Sequence, residues 1–231
     1  MLDGGVEGLH ALAQRARCGV VNTWGAKGVL RWDDPRHFGT AGLQARDFEL
    51  AGLGEVDVLV TSGLDPDEVT STPWAGRAEV IDVAPADLAT FERLLPRGSV
   101  ERPALYTELA AVVGPLYDQP GSPPARAAAL AASLPVGGLV VAEPGLVGFW
   151  VARTFPTAVP GSVAVPARGG SEGAWARARD AARTGRPVTL VTAARPPDAL
   201  PGVQIETWDD VDLDPSALVA VAGAIVAFRD L

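Results

Sequence analysis

The sequence predicts an α/β protein in which parallel sheets are flanked by helices. Three observations predict this class: short runs that are almost wholly apolar, polar or glycine residues directly after those runs, and helix-forming segments between them. Strands that are apolar on both faces are typical of parallel sheets, because helices cover such sheets on each side. We expect two lobes of this kind, joined by a connection rich in proline.

The first lobe is predicted to span residues 1–95. Residues 5–17 carry apolar side chains about one helical turn apart, which predicts a helix with one buried face. Residues 18–24 form a short apolar run that ends in polar side chains, which predicts a buried strand. The other expected elements of this lobe are strands at 56–61 and 78–83 and helices at 43–53 and 85–95.

A connection between the lobes is predicted at residues 96–124, where prolines are frequent and a helical piece at 104–113 interrupts the stretch. The second lobe is predicted to span residues 125–231, in which strands and helices alternate again. Its expected strands are 138–142, 162–165, 187–192 and 204–207, and its expected helices are 125–134, 145–153, 172–184 and 216–228.

Composition excludes several classes of protein and partner. Apolar residues make up 48% of the chain, which excludes a mainly disordered protein. A net charge of −9 disfavours nucleic acid and anionic membrane as partners, because both require clustered positive charge. The longest apolar run, residues 217–228, is shorter than the roughly 20 residues that a membrane span needs. The single cysteine, Cys18, and a start without a signal-peptide pattern predict a cytoplasmic protein.

The most distinctive stretch of the sequence is residues 20–68, and it is followed by an apolar run that contains Asp82 near its end. Its motifs, in order, are Thr23, Gly-Ala-Lys-Gly at 25–28, Asp-Asp-Pro at 33–35, Gly-Thr-Ala-Gly at 39–42 and Gly-Leu-Asp-Pro at 63–66. In this order and spacing they resemble the central domain of thiamine-diphosphate-dependent enzymes of the acetolactate synthase and 2-oxo acid decarboxylase family. The resemblance covers about residues 4–95 and implies a Rossmann-like lobe whose first strand is missing.

The resemblance also implies where this lobe would hold a ligand. In some relatives the loops at the strand ends bind FAD or ADP, since glycines let the backbone approach a flat or phosphorylated ligand. The positions of this chain that match those loops are Thr23, Gly39, Gly42, Gly63, Asp65 and Asp82. The same glycines equally suit turns that bind nothing. We expect Lys27 to be a solvated surface lysine, and His37 to be structural or solvated rather than catalytic.

Residues 137–167 resemble the opening of the diphosphate-binding domain of the same family. In relatives a strand there ends in an acidic residue and leads through glycine into a helix that carries aromatic side chains. Glu143 and Gly145 fit the turn, and Phe149 and Trp150 fit the helix. The N–H groups that open this helix would suit an anion. An ordinary strand–turn–helix unit that buries Trp150 explains the same pattern.

Two departures from the family separate the fold from its chemistry. Relatives that work as enzymes hold Mg²⁺ and the diphosphate with a Gly-Asp-Gly motif followed by an asparagine. This chain has no Gly-Asp dipeptide, and its only asparagine, Asn22, falls in the other lobe. The upstream pyrimidine-binding domain, which supplies the activating glutamate, also has no counterpart in this sequence. We therefore predict a degenerate diphosphate-binding lobe and no catalytic or metal-ligating residues. The cofactor stays open: the resemblance allows thiamine diphosphate with Mg²⁺, whose usual ligands are missing, and FAD or ADP in the first lobe.

Three functional hypotheses follow from this comparison. The first is a thiamine-diphosphate-enzyme-like protein without autonomous catalysis, which acts as a non-catalytic subunit or ligand-binding module. It would form a homo-oligomer or bind a separate pyrimidine-domain subunit. The second is one half of a split decarboxylase or carboligase for 2-oxo acids, completed by such a subunit. The third is a module that binds flavin or an adenine nucleotide.

Overall fold

The computed structural model describes residues 5–69 and 76–228. They form an α/β protein with short parallel sheets flanked by helices, as the sequence predicts. The helices are α1 (Gly5–Ala16), α2 (Asp47–Leu50), α3 (Ala104–Tyr117), α4 (Pro123–Ser133), α5 (Leu146–Thr154), α6 (Gly170–Arg183) and α7 (Ser216–Ala222). The strands are β1 (Val20–Thr23), β2 (His37–Ala41), β3 (Val58–Thr61), β4 (Glu79–Asp82), β5 (Leu139–Ala142), β6 (Val163–Ala164), β7 (Val188–Thr192) and β8 (Val203–Thr207). Short 3₁₀ helices cover Trp24–Ala26, Leu53–Glu55 and Pro85–Thr90.

The largest sheet contains four parallel strands in the order β6-β5-β7-β8. Its central strand β5 is buried at every position, and alternate side chains enter two different layers. Leu139 and Val141 pack with the alanines of α6, whereas Val140 and Ala142 belong to the main core, which includes Phe149 of α5. A strand covered on both faces in this way must be apolar throughout, which explains why the sequence marks β5 so clearly.

The amino-terminal part contains two separate parallel pairs, β1 with β2 and β3 with β4. Within the described residues no hydrogen bond joins β1 to β3. A cavity of about 440 Å³ lies between them, and its walls include side chains of β1, β3 and α1. The described residues of the amino-terminal part therefore form two separate two-stranded sheets.

Helix α3 lies inside the stretch predicted as a connection, and it is longer than the helical piece expected at 104–113. It continues through Pro115 to Tyr117. Its buried face, formed by Leu105, Leu109 and Val113, belongs to the main core, which also contains residues of β2 and β5. This stretch is thus a structural layer of the protein.

Other element boundaries also differ from the prediction. The helix expected at 216–228 ends at Ala222, because Gly223 adopts a φ of +78° and its N–H bonds back to Val219. The helix expected at 43–53 is the single turn α2 followed by a 3₁₀ turn, with Gly52 at a φ of +71° between them. Strand β2 was not predicted. No helix within the described ranges is both long and apolar enough to cross a membrane.

Candidate functional site

The predicted strand-end site of the first lobe is closed by the side chain of Glu68. Its carboxylate accepts a hydrogen bond from the Gly25 N–H at 3.0 Å. Gly42 has a φ of +84°, a conformation that favours glycine, and a Cβ there would be in van der Waals contact with the Glu68 carbonyl oxygen at 3.4 Å. Burial raises the pKa of the Glu68 carboxyl, and hydrogen bonds from Thr23 and the Gly25 N–H act in the opposite direction. A phosphate at this strand end would therefore face a carboxylate.

The remaining predicted residues of this lobe lie at different places. Gly63, at a φ of +60°, follows β3 and lines the cavity between β1 and β3. The Asp65 carboxylate accepts from the Asp67 N–H and forms an ion pair with Arg168 at 3.0 Å. Asp82 ends β4 and accepts a hydrogen bond from the Thr61 hydroxyl. The resemblance predicts that these residues form one ligand site. Instead, the carboxylates of Asp65 and Asp82 already bind other side chains and N–H groups of the protein.

The predicted anion site of the second lobe is organised around Glu143, which directly follows β5. Its carboxylate accepts hydrogen bonds from the hydroxyls of Ser171 and Thr192 and from the Ala193 N–H at 3.0 Å. Gly145 precedes α5 with a φ of +97°, a conformation that favours glycine. Glu143 therefore ties the end of β5 to α6 and to the end of β7.

The residues present here do not fit a magnesium–diphosphate group. Such a group needs carboxylate or amide oxygens that remain free to bind the cation. After β7, where the family places its metal motif, the chain continues Ala-Ala-Arg-Pro-Pro, and the nearby Glu143 carboxylate already accepts three hydrogen bonds. Within residues 5–69 and 76–228 there is no cluster of three or more metal-ligating side chains.

Truncation of Glu143 tests its bracing role. Glu143→Ala should lower the free energy of unfolding by about 1–3 kcal/mol, because the Ser171 hydroxyl and the Ala193 N–H lose a charged, partly buried acceptor and the Thr192 hydroxyl keeps only the Ala194 carbonyl oxygen. Urea denaturation followed by circular dichroism measures this change. Glu143→Gln keeps one oxygen acceptor and should cost less than the alanine variant. Equal stability of all three proteins would contradict the bracing role.

A second cavity, of about 430 Å³, lies between β2, α3 and α5. Its polar or charged lining residues are Lys27, His37, Thr40, Tyr106, Tyr117 and Arg153, and the remaining wall includes the apolar side chains of Trp32, Leu105, Leu109, Val113 and Pro156. Gly39, one of the predicted ligand-binding glycines, also lines it, with a φ of +114° and α3 close by. The two cavities share no lining residue.

Lys27 is buried in this second cavity, so the prediction of a solvated lysine is wrong. Only 7% of its surface is exposed. No hydrogen bond or ion pair joins its ammonium group to another residue in the described part of the chain. Burial, together with the positive charge of Arg153, lowers the pKa of Lys27 to about 7.

Arg153 holds the same wall through an ion pair with Asp47, and both side chains are almost completely buried. Its guanidinium also donates to the Thr40 carbonyl oxygen at 2.7 Å and to the Gln44 side chain at 3.1 Å. The Asp47 carboxylate accepts additional hydrogen bonds from the N–H groups of Leu43 and Gln44. Asp47 is thus committed to Arg153 and to its own turn.

A buried polar network supports the other side of the cavity. His37 Nε2 lies 3.2 Å from Asn22 Oδ1, and the Asn22 amide donates to the Thr40 hydroxyl at 3.2 Å. Burial, reinforced by the charge of Lys27, lowers the pKa of His37 to about 4. The histidine is therefore neutral at neutral pH, and it is buried rather than solvated.

Sequence reasoning missed Asp47 and Arg153, because the two residues are 106 positions apart and neither is in a distinctive motif. The signal for Lys27 was present but was misread. It is the only lysine of the sequence, and the residue that follows it, Gly28, adopts a φ of +93°. At Gly28 a Cβ would meet Val163 of β6 at 2.9 Å, so this turn lies against the second sheet rather than at the surface.

Comparison with known proteins adds no family to these observations: no protein-family model matches the chain, and no curated protein matches its sequence. The fold and the two cavities define an α/β protein with a divided amino-terminal sheet and a pocket whose wall contains a buried lysine. The thiamine-diphosphate-enzyme architecture remains a resemblance carried by the motifs quoted above.

Proposed function

We propose that this protein is a non-catalytic subunit of thiamine-diphosphate-enzyme-like architecture, which binds an extended strand of a partner chain between β1 and β3. The observation that carries the proposal is the divided amino-terminal sheet, in which two parallel strand pairs face each other across a cavity of about 440 Å³. With a strand in that position the order becomes β2-β1-partner-β3-β4, a five-stranded Rossmann-like sheet.

The hydrogen-bonding pattern of the facing edges supports this arrangement. The Val20 N–H bonds toward β2, so the backbone groups of Val21 point away from that strand. The carbonyl groups of Asp57 and Thr61 bond toward β4, so those of Val58 and Val60 point away from it. Both sets of backbone groups face the cavity, and unpaired strand edges are the usual templates for strand addition.

The lining of this gap indicates the chemistry of the partner strand. Apolar side chains from α1, including Leu12, Ala13 and Ala16, cover part of the gap, and Phe48 and Leu53 cover another part. A central strand of a parallel sheet is buried on both faces and must be apolar on both. The partner therefore supplies a short extended segment of valine, isoleucine or leucine side chains, parallel to β1 and β3.

The residues at the expected diphosphate sites are already hydrogen-bonded within the protein, which supports a non-catalytic role. Glu143 braces β5, β7 and α6, and Glu68 lies across the strand ends of the first lobe. Both carboxylates lie where the family would place a phosphorylated cofactor, and each would repel it. The proposal therefore assigns this protein to binding a partner rather than to chemistry with thiamine diphosphate.

Strand addition is tested with a synthetic peptide of six alternating valine and leucine residues with charged solubilising ends. Binding should protect the amide hydrogens of Val21, Val58 and Val60 from exchange, as measured by NMR on the full chain. Val58→Lys places a charge on the face of β3 that borders the gap, beside the apolar partner strand, and should weaken binding at least tenfold. The matched variant Val80→Lys changes an exposed position of β4 and should bind normally.

Two results would reject the proposed function. Peptide binding that leaves the amides of β1 and β3 unprotected would exclude strand addition. Tight, metal-dependent binding of thiamine diphosphate by the isolated chain, measured by calorimetry with Mg²⁺, would exclude the non-catalytic assignment.

A further inference from the structure

The buried pocket of Lys27 is a site independent of the gap between β1 and β3. A lysine ammonium is rarely buried without a partner, because removing its charge from water is costly unless an anion compensates it. Lys27 is 7% exposed, lines a cavity of about 430 Å³ and has no hydrogen-bonding or ionic partner in residues 5–69 and 76–228. The pocket therefore contains an ammonium group whose charge no anion compensates in the described residues.

The neighbouring groups in the described part of the chain do not compensate the charge of Lys27. Asp47 is the carboxylate paired with Arg153, and its oxygens are taken by Arg153 and by the N–H groups of Leu43 and Gln44. Arg153 adds a second positive charge to the same wall, and its Nε is buried without a hydrogen-bond acceptor in the described structure. The wall as a whole has more donors than acceptors.

The rest of the pocket is apolar and aromatic. Leu105, Leu109 and Val113 of α3 form one side. The hydroxyl groups of Tyr106 and Tyr117 already donate to backbone carbonyl oxygens, at 3.4 Å and 2.5 Å, so their rings rather than their protons face the space that remains. Such a lining suits an uncharged hydrocarbon or aromatic body.

We propose that this pocket binds a small monocarboxylate whose apolar or aromatic body lies against α3 and whose carboxylate pairs with Lys27. One unpartnered ammonium matches one negative charge, whereas a phosphate dianion would leave charge uncompensated in an apolar site. The volume lies within the range of small-molecule pockets, at its lower end. This inference does not depend on the partner strand, and either proposal can fail alone.

Matched ligand pairs provide the first test. Benzoate and phenylacetate should bind to the full chain at least tenfold more tightly than benzamide and phenylacetamide, as measured by calorimetry and by tryptophan fluorescence, since Trp32 lines the pocket. Lys27→Met should weaken carboxylate binding at least tenfold, whereas Arg183→Met, which removes an exposed cation, should leave it unchanged. Equal affinity of acid and amide would overturn the proposal, and so would phosphate that binds as tightly as benzoate.

Proton uptake provides a second test that needs no variant. The titratable and charged groups that line the pocket or contact its lining are Lys27, His37 of β2, Tyr106 and Tyr117 of α3, Arg153 of α5, Asp47 of α2, Arg102 over the Tyr106 ring, and Asp34 near His37. A bound carboxylate raises the pKa of Lys27 from about 7, so the protein should take up a measurable fraction of a proton per ligand at pH 8, and this fraction grows with the size of the pKa shift. Calorimetry in buffers of different ionisation enthalpy measures this uptake.

The single lysine makes this result assignable. Lys27 can be labelled by reductive ¹³C-methylation, and apart from the amino terminus its dimethylamine signal is the only one in the NMR spectrum. The titration midpoint of that signal should move up by at least one unit when benzoate is added. A midpoint that benzoate leaves unchanged would overturn the proposal even if the methionine variant failed to fold.

Discussion

Replacement of Asp47 by asparagine is expected to lower the free energy of unfolding by about 3–5 kcal/mol, because it leaves the charge of Arg153 buried without a counter-ion. The loss is expected to be large for a second reason. Lys27 is close enough to Arg153 for the arginine to lower its pKa, so the variant would confine two like charges in one region. Urea denaturation followed by tryptophan fluorescence and circular dichroism measures the effect.

Two further variants separate this cause from general disruption. Asp180→Asn breaks an ion pair with Arg183 that is mostly exposed, and it should leave the unfolding midpoint unchanged. The double variant Asp47→Asn and Arg153→Met removes both buried charges and keeps a side-chain oxygen for the N–H groups of Leu43 and Gln44, so it should be more stable than Asp47→Asn alone. A double variant less stable than the single one would show that packing, rather than the unpaired charge, accounts for the loss.

The strands of the four-stranded sheet and the helices that cover it were predictable, because each is marked by a pattern within its own short stretch of sequence. A strand such as β5 is an unbroken apolar run, since α5 and α6 cover its two faces. Strand β2 has no such run. It contains His37 and Gly39, and it is held in place by pairing with β1 and by the neighbouring α3 rather than by its own composition.

The second cavity, which contains Lys27, could not be predicted from local patterns, because its walls come from distant parts of the chain. From the sequence, Lys27 is predicted to be a surface residue, because lysine side chains are rarely buried. Its burial depends on α3 and α5, which lie far along the sequence, and on Arg153, whose own partner is Asp47. Sequence motifs drew attention to the glycines around Lys27 but gave no information about the helices that cover it.

Replacement of Lys27 by methionine is expected to stabilise the protein below pH 7 by as much as about 4–5 kcal/mol. The pKa of Lys27 is about 7 in the folded protein, against roughly 10.4 in an unfolded chain. Below pH 7 the amine is protonated in both states, so folding bears the full cost of burying the charge. Above about pH 10.5 the amine is neutral in both states, and that cost disappears. Methionine fills a similar space without a charge, so its advantage should shrink steadily between these limits.

The pH dependence, rather than the stability change alone, identifies the cause. Unfolding by urea at pH 6, 8 and 10 should give free energies for the natural chain that approach those of Lys27→Met as the pH rises. Lys27→Arg provides the opposite control, because arginine stays charged throughout this range and should remain destabilising at pH 10. Parallel curves for the natural chain and Lys27→Met would mean that the lysine keeps its ordinary pKa in the fold. A saturating concentration of carboxylate ligand should reduce the difference in free energy of unfolding between the natural chain and Lys27→Met at pH 6. The bound anion compensates the same buried charge that methionine removes.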